Sequence, residues 1–319
     1  MWLILISILL VTASLHAQAD DEVLDEALAG ARAFTGGNAD WQPFTHTFAN
    51  DPTGAEMMLV PVGAFMMGST EAEIDAALAQ CNASDPQSDC NRVEYEDEAP
   101  AHTQQITQPY WIDRDEVTRA QYDICVQAGA CPQPPPSRYS TEPDHPVNRI
   151  SWFYARDYCE WRGGRLPTEL EWEFAARGPD SLTYPWGDDA DGNRANHCDE
   201  RCIELDTYLR YYDAGNDDGY AAVAPVGTYD NASWVGARDM AGNIYEWTGT
   251  IYDNEQFTYP YVPDDGRNDF DDPEAKRVLR GGARVNSFVN LRSANRNGLI
   301  APDADFLGFY GMRCMRESE

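Results

Sequence analysis

The apolar positions of this chain change period several times, and each change marks a segment. Residues 1–19, MWLILISILLVTASLHAQA, carry no charged side chain, and their aliphatic run passes into Ala17-Gln18-Ala19 just before Asp20. That is the pattern of a cleaved secretory signal, although without a basic residue at its start, so an uncleaved anchor is the alternative. Residues 20–50 form an acidic N-terminal segment or linker, with a short helix expected over Asp21 to Phe34 until Gly36-Gly37-Asn38 breaks it. Residues 51–319 read as one domain. Met57 to Val62 and Phe65 to Gly68 predict a strand, a turn and a second strand. Apolar spacing predicts helices over Glu116 to Ala128, Trp152 to Trp161 and Thr168 to Ala176. In the third, Thr168 and Glu171 stand at the spacing of a capping box. After Gly178 periodicity fades for a long stretch of Pro, Gly, Asp and Asn, which only bound ions or dense polar networks would order.

Composition narrows the function. The 319 residues hold 23 Lys+Arg against 54 Asp+Glu, a formal charge of −31, and Lys276 is the one lysine. A phosphate-binding surface, and with it nucleic-acid binding, is excluded as the main purpose. The positive charge is arginine, suited to fixed bidentate carboxylate pairs. At 43% hydrophobic and 12% aromatic residues the chain can still bury a core.

Eight cysteines in an exported chain read as disulfides. Cys81 and Cys90, Cys125 and Cys131, and Cys198 and Cys202 each bracket a short loop, leaving Cys159 and Cys314 as a long-range pair. A metal site at His197-Cys198 with Cys202 is the alternative, with no evident fourth ligand.

Several separated runs then fall in order: Val60 to Ser69, Asp113 to Tyr122, Tyr158-Cys159-Glu160-Trp161, Gly164 to Glu169 (GRLPTE) with Glu171-Trp172-Glu173 and Ala175 to Gly178, Asp239 to Asn243 (DMAGN) with Glu246-Trp247, Arg280-Gly281-Gly282, and Arg292 to Arg296 with Gly308-Phe309. Together they resemble the formylglycine-generating enzyme (sulfatase-modifying factor) domain family over about residues 55–316. The resemblance implies an α+β fold, an elaborated C-type-lectin-like domain that is loop-rich and low in regular secondary structure. It also implies a Cys159–Cys314 disulfide.

Calcium is implied in the same way, at two sets of ligands. The first is the side chains of Asp239 and Glu246 with the carbonyls of Gly242 and Ile244. The second is the side chains of Asn196 and Asp218 with the carbonyls of His197 and Tyr220. Independently, two carboxylates flanking the small-residue turn 239–246 suit a hard cation that takes about six to eight oxygens.

The family's oxidases hold Cu(I) on two thiols in the segment after Arg-Gly-Gly, because soft thiolates favour that ion. Here the segment from Arg280 to Arg292 is shorter and has no cysteine. Copper and formylglycine generation are therefore not expected, and no catalytic residue is assigned. His102 reads as a hydrogen-bonding rather than a catalytic histidine. The same segment suits a binding face instead, with Arg284, Asn286, Phe288, Asn290, Arg292, Asn295, Arg296 and Asn297 open to an unknown protein or small ligand. The bland alternative is that Arg292 and Arg296 make internal ion pairs. The overall expectation is a secreted or periplasmic, calcium-stabilised, disulfide-bonded accessory module with no membrane association once the signal is removed. The alternative is an oxidoreductase of the formylglycine-generating type acting on a protein cysteine through a non-standard site.

Overall fold

The computed structural model describes residues 21–84, 90–205, 212–213, 215–298, 301–303 and 308–318. The signal expected at 1–19 lies outside these. Residues 21–32 form helix α1, two residues shorter than expected. The stretch expected as an acidic segment or linker packs onto the fold. Ala31 is fully buried with Met57 and Leu59, and strand β1 (Thr45–Thr47) pairs with β2 (Glu56–Val60).

Strand β3 (Gly63–Met67) follows β2, yet the two are not a hairpin. β2 lies between β1 and β5 (Tyr110–Asp113), whereas β3 pairs with β4 (His102–Ile106). Between them runs helix α2 (Glu71–Ser84), which the sequence pattern did not single out. Of its residues only Ile74 and Ala77 are buried, so it carries too narrow an apolar stripe to read as a helix from spacing.

Helix α3 (Arg119–Gln127) begins three residues later than expected, because Thr118 caps it and Gln121 answers as its box partner. Helix α4 (Trp152–Trp161) has the expected bounds, with Ser151 accepting from Tyr154 N–H. Helix α5 (Glu169–Arg177) opens on the Thr168–Glu171 capping box and ends at Gly178, whose φ of 65° suits glycine.

From Gly178 to Ile244 the described chain has no strand, and its only α-helix is Cys202–Leu205. Strand β6 (Tyr245–Ile251) then runs between β7 (Arg277–Arg280) and β8 (Tyr310–Gly311), parallel to β8. All seven β6 residues are buried, so the strand lacks the alternation that marks a half-exposed one. Strand β9 (Met315–Glu317) completes the four-stranded antiparallel sheet β1-β2-β5-β9.

One core lies between α3, α4 and β6, where Trp152 Nε1 donates to the Thr248 carbonyl and Trp247 Nε1 to that of Ile150, both at 2.8 Å. Another joins α5 to the sheets through Trp172, Phe174 and Trp234. The eight cysteines form four disulfides, Cys81–Cys90, Cys125–Cys131, Cys159–Cys314 and Cys198–Cys202, so the metal alternative at Cys198 and Cys202 has no thiolates to use.

Candidate functional site

The C-terminal segment after β7 divides by side-chain chemistry. Its arginines turn inward. Arg292 makes a bidentate pair with Glu98, both bonds 2.7 Å, and Arg296 grips Glu169 at 2.6 and 3.0 Å while donating Nη1 to the Asp97 carbonyl at 2.9 Å. Arg284 is 1% exposed, lies 3.9 Å over the Tyr139 ring and donates to the Ala221 carbonyl. Phe288 is buried among Tyr184, Trp186 and His197. The expectation that Arg284, Phe288 and Arg292 sit on a binding face is therefore corrected. In so acidic a chain, each guanidinium finds a buried carboxylate, carbonyl or ring closer to hand than solvent.

The asparagines of the segment do the opposite. Asn286, Asn290, Asn295 and Asn297 line a cavity of about 470 Å³, with Asn91 and Asn254 across from them. Tyr245 and Tyr252 supply its aromatic surface and Arg296, Asp97 and Glu94 its charged groups. Tyr252 sits against Gly298 so closely that a Cβ there would fall 1.9 Å from the ring, which fixes a wall of the cavity. Its hydroxyl donates to Asp97 Oδ2 at 2.9 Å and accepts from Asn254 Nδ2 at 2.9 Å. Asp97 Oδ1 is closed off from solvent and has no hydrogen-bond partner. Burial pushes the Asp97 carboxyl up to about 6, against the pull of Arg296 and Tyr252, and Glu98 and Glu169 push the same way. Burial and the Asp97 charge push Tyr252 up to about 12. Asn295 donates Nδ2 to Glu98, and Asn297 Nδ2 approaches the Tyr245 hydroxyl at 3.4 Å. A smaller cavity shares Asp97, Asn254 and Arg296 and extends this one.

The two expected calcium sets meet at one turn. Asp239, Gly242 and Asn243 have φ of 56°, 84° and 61°, and a Cβ on Gly242 would fall 2.3 Å from the Asn196 carbonyl oxygen. Only glycine lets the turn approach the second set that closely. In the first set, Asp239 accepts from Gly227 N–H and Asn231 Nδ2. Glu246 is taken differently from the expectation: Arg313 binds both its oxygens, at 2.7 and 2.6 Å, and Trp172 Nε1 donates to Oε2 at 2.6 Å. The Glu246 charge is thus already answered by a buried guanidinium, whereas burial pushes the Asp239 carboxyl above its ordinary value. Glu116, which spacing did not mark, lies beside it and accepts from Asn243 Nδ2 and Ile244 N–H. Burial, with the charges of Asp239 and Glu246, holds its carboxyl well above the usual carboxylate range.

The second set has a different character. Asn196 Oδ1 is buried without a partner, while its Nδ2 donates to the Ala222 carbonyl at 2.8 Å. Asp218 accepts from the N–H groups of His197 and Tyr220, both at 2.8 Å, which brings all four expected residues together. Burial, followed by the charge of Asp199, pushes Asp218 up to about 6 against those bonds. An orphaned amide oxygen beside a buried carboxylate in need of positive charge fits a hard cation. Among the described residues no three or more His, Cys, Asp or Glu side chains converge as a metal cage, so carbonyl and amide oxygens would have to complete such a site. His102 bridges two backbones, with Nδ1 at 2.7 Å from the Pro100 carbonyl and Nε2 at 2.8 Å from Tyr261 N–H.

Residues 44–318 match the family described as Sulfatase-modifying factor enzyme 1-like domain. The chain belongs to that family. Among its relatives, a formylglycine-generating enzyme of Thermomonospora curvata is 41% identical over 190 residues, covering 57% of this chain and 59% of the relative. An inactive C-alpha-formylglycine-generating enzyme 2 of Bos taurus is 39% identical over 122 residues, 38% of each chain. The chain thus spans between two fifths and three fifths of the length of these curated relatives. Of the solved structures, PvdO from Pseudomonas aeruginosa superposes with a TM-score of 0.63 at 24% identity, over 87% of this chain and all of that one. The family therefore holds relatives named as formylglycine-generating enzymes and relatives named as inactive.

Proposed function

We propose that this chain is a family member in which an amide-lined pocket stands in place of the copper-thiol centre, and that it acts as a ligand- or partner-binding accessory module. One observation carries this reading. The segment after Arg280-Gly281-Gly282 puts Asn286 and Asn290 into the pocket wall, while all eight cysteines are in disulfides, so no thiolate pair is left to hold Cu(I). The polar pocket and the buried arginines of the same segment are consistent with recognition rather than oxidation. Incubation with Cu(I), oxygen and a sulfatase-type cysteine peptide should leave the peptide mass unchanged. Conversion of the cysteine would instead establish an oxidoreductase of the formylglycine-generating type with a non-standard site.

The reading includes export and calcium. Four disulfides accord with an oxidising compartment reached through a signal at 1–19, and no helix among the described residues is long and apolar enough to cross a membrane. Calcium belongs at the second set, held by the side chains of Asn196 and Asp218 and the carbonyls of His197 and Tyr220. There the ion would supply the positive charge that orders an aperiodic loop. Chelation should lower the melting temperature by several degrees, and an unchanged melt would remove calcium from the account.

A further inference from the structure

The lining of the amide pocket restricts what it can hold. An anion finds no free cation there, because the Arg296 guanidinium is spent on Glu169 and the Asp97 carbonyl, while Glu94 and Asp97 add negative charge. For an ammonium group, Asp97 Oδ1 is shut off from solvent and Oδ2 is engaged by the Tyr252 hydroxyl, so of the two lining carboxylates only Glu94 is left to meet the charge. Among the lining residues Val93 is the only aliphatic side chain, which leaves no apolar subsite for the side chains of an extended peptide. What remains is amides and phenols: Asn290 makes no side-chain hydrogen bond within the described structure, and Asn295 and Asn297 each commit Nδ2 and keep their carbonyl side.

A side-chain amide offers a donor and an acceptor a fixed distance apart, and a hydroxyl is a donor and an acceptor on one atom. Several amides around one cavity therefore match a ligand bearing several hydroxyls. The cavity volume falls within the roughly 300–1,000 Å³ of small-molecule sites, and the tyrosines offer ring faces to a C–H surface. We propose that this pocket binds a neutral, polyhydroxylated ligand of the carbohydrate class, held by Asn290, Asn295 and Asn297 against Tyr245 and Tyr252. The proposal rests on the reading of the pocket as the ligand site and names the chemistry of its ligand.

The test titrates the full chain with maltose, cellobiose and N,N′-diacetylchitobiose as neutral probes. Glucuronate, glucosamine and an acetyl-capped tripeptide serve as counterparts. Binding is read by saturation-transfer NMR and by side-chain amide shifts in ¹⁵N-labelled protein. At least one neutral saccharide should bind and shift asparagine amides, with both charged sugars weaker by about tenfold or more. Asn290→Ala should weaken binding by about tenfold, the size of one or two lost hydrogen bonds. Asn290→Trp should abolish it while the melt stays unchanged. If no neutral saccharide binds, or if a charged sugar or the peptide binds more tightly in a manner that Asn290→Trp blocks, the carbohydrate assignment is overturned and the pocket reading stands. Binding that Asn290→Trp leaves intact would overturn the pocket reading itself.

Discussion

Between Glu56 and Arg177 the described residues form four strands and four α-helices, while those from Gly178 to Ile244 offer one four-residue α-helix and no strand. Burial does not separate the two regions. Ala195, His197, Asp199, Ala224 and Asn231 are as inaccessible as Trp152 of α4 and Trp172 of α5. The difference lies in what satisfies the backbone. In the first region helices and ladders do so, begun by caps such as Thr168. In the second, short polar side chains take over: Asp199 accepts from the N–H groups of Arg201 and Asp218, Asp218 from His197 and Tyr220, and Asn243 from Ala224. An aperiodic segment can be buried as deeply as a helix provided each buried amide still has an acceptor.

Buried arginine–carboxylate pairs tie the regular region to the rest. Glu98, Glu169 and Glu173 come from the first region, their partners Arg292 and Arg296 from the C-terminal segment and Arg280 from the end of β7. Breaking one of these pairs is the largest perturbation expected. Arg292→Met leaves Glu98 buried with Ser69 and Asn295 as its only remaining side-chain donors, and should cost about 3–5 kcal/mol in chemical denaturation. Replacing Glu98 and Arg292 together with apolar residues of similar volume should recover much of that loss. If the single and double variants were equally unstable, packing rather than charge would join the regions.

A smaller effect follows from Asp97, at the seam between the regions. Its folded-state carboxyl titrates near 6, above the ordinary value, because it is buried with Glu98 and Glu169 nearby despite Arg296 and Tyr252. Between the two values the folded chain keeps a proton that the unfolded chain has released. This contribution to stability is therefore complete below the ordinary carboxylate range and lost as pH rises through about 6. Asp97→Asn should remove that decline, raising stability at neutral pH relative to the native chain by on the order of 1–2 kcal/mol after allowing for partial exposure. Denaturation curves on both sides of pH 6 check it, and parallel profiles for the two proteins would mean that Asp97 titrates normally. Smallest is Thr168→Ala, which removes the α5 capping box and should cost about 1 kcal/mol. A loss of that size confined to α5 would show that local capping still counts in the regular region.

The same contrast decides how much was legible in the sequence. Helix α4 was readable to its ends and α5 to its cap because apolar period and capping residues coincide there. Helix α2 escaped because it buries only two side chains, and β6 because both its faces are covered. In the C-terminal segment the identity of the residues was informative but their direction was not. Arg292 and Asn290 are both polar, and nothing in their spacing says that a carboxylate 194 residues away claims the first and leaves the second to the pocket. Glu116 was missed for a related reason: its partners Asn243 and Ile244 are more than a hundred positions distant. The resemblance to a family marked Glu246 as a calcium ligand, yet it did not foretell that Arg313 would occupy it.

The Cys159–Cys314 bond has a mechanical consequence. It joins residues 155 apart in sequence, one in α4 and the other just before β9. Under tension applied between the two chain ends, load reaching Cys314 passes directly to Cys159 through a covalent link. The intervening chain, with β6, the aperiodic region and the asparagine side of the pocket, then forms a closed ring that carries no force. Roughly 500 Å of contour length stays hidden from extension until that link is reduced. A pull that unravels the N-terminal strands would therefore strip Asn91 and Asp97 from the pocket while leaving its asparagine segment inside the ring unloaded, so a thiol reductant, more than force, governs whether the ring can be drawn out.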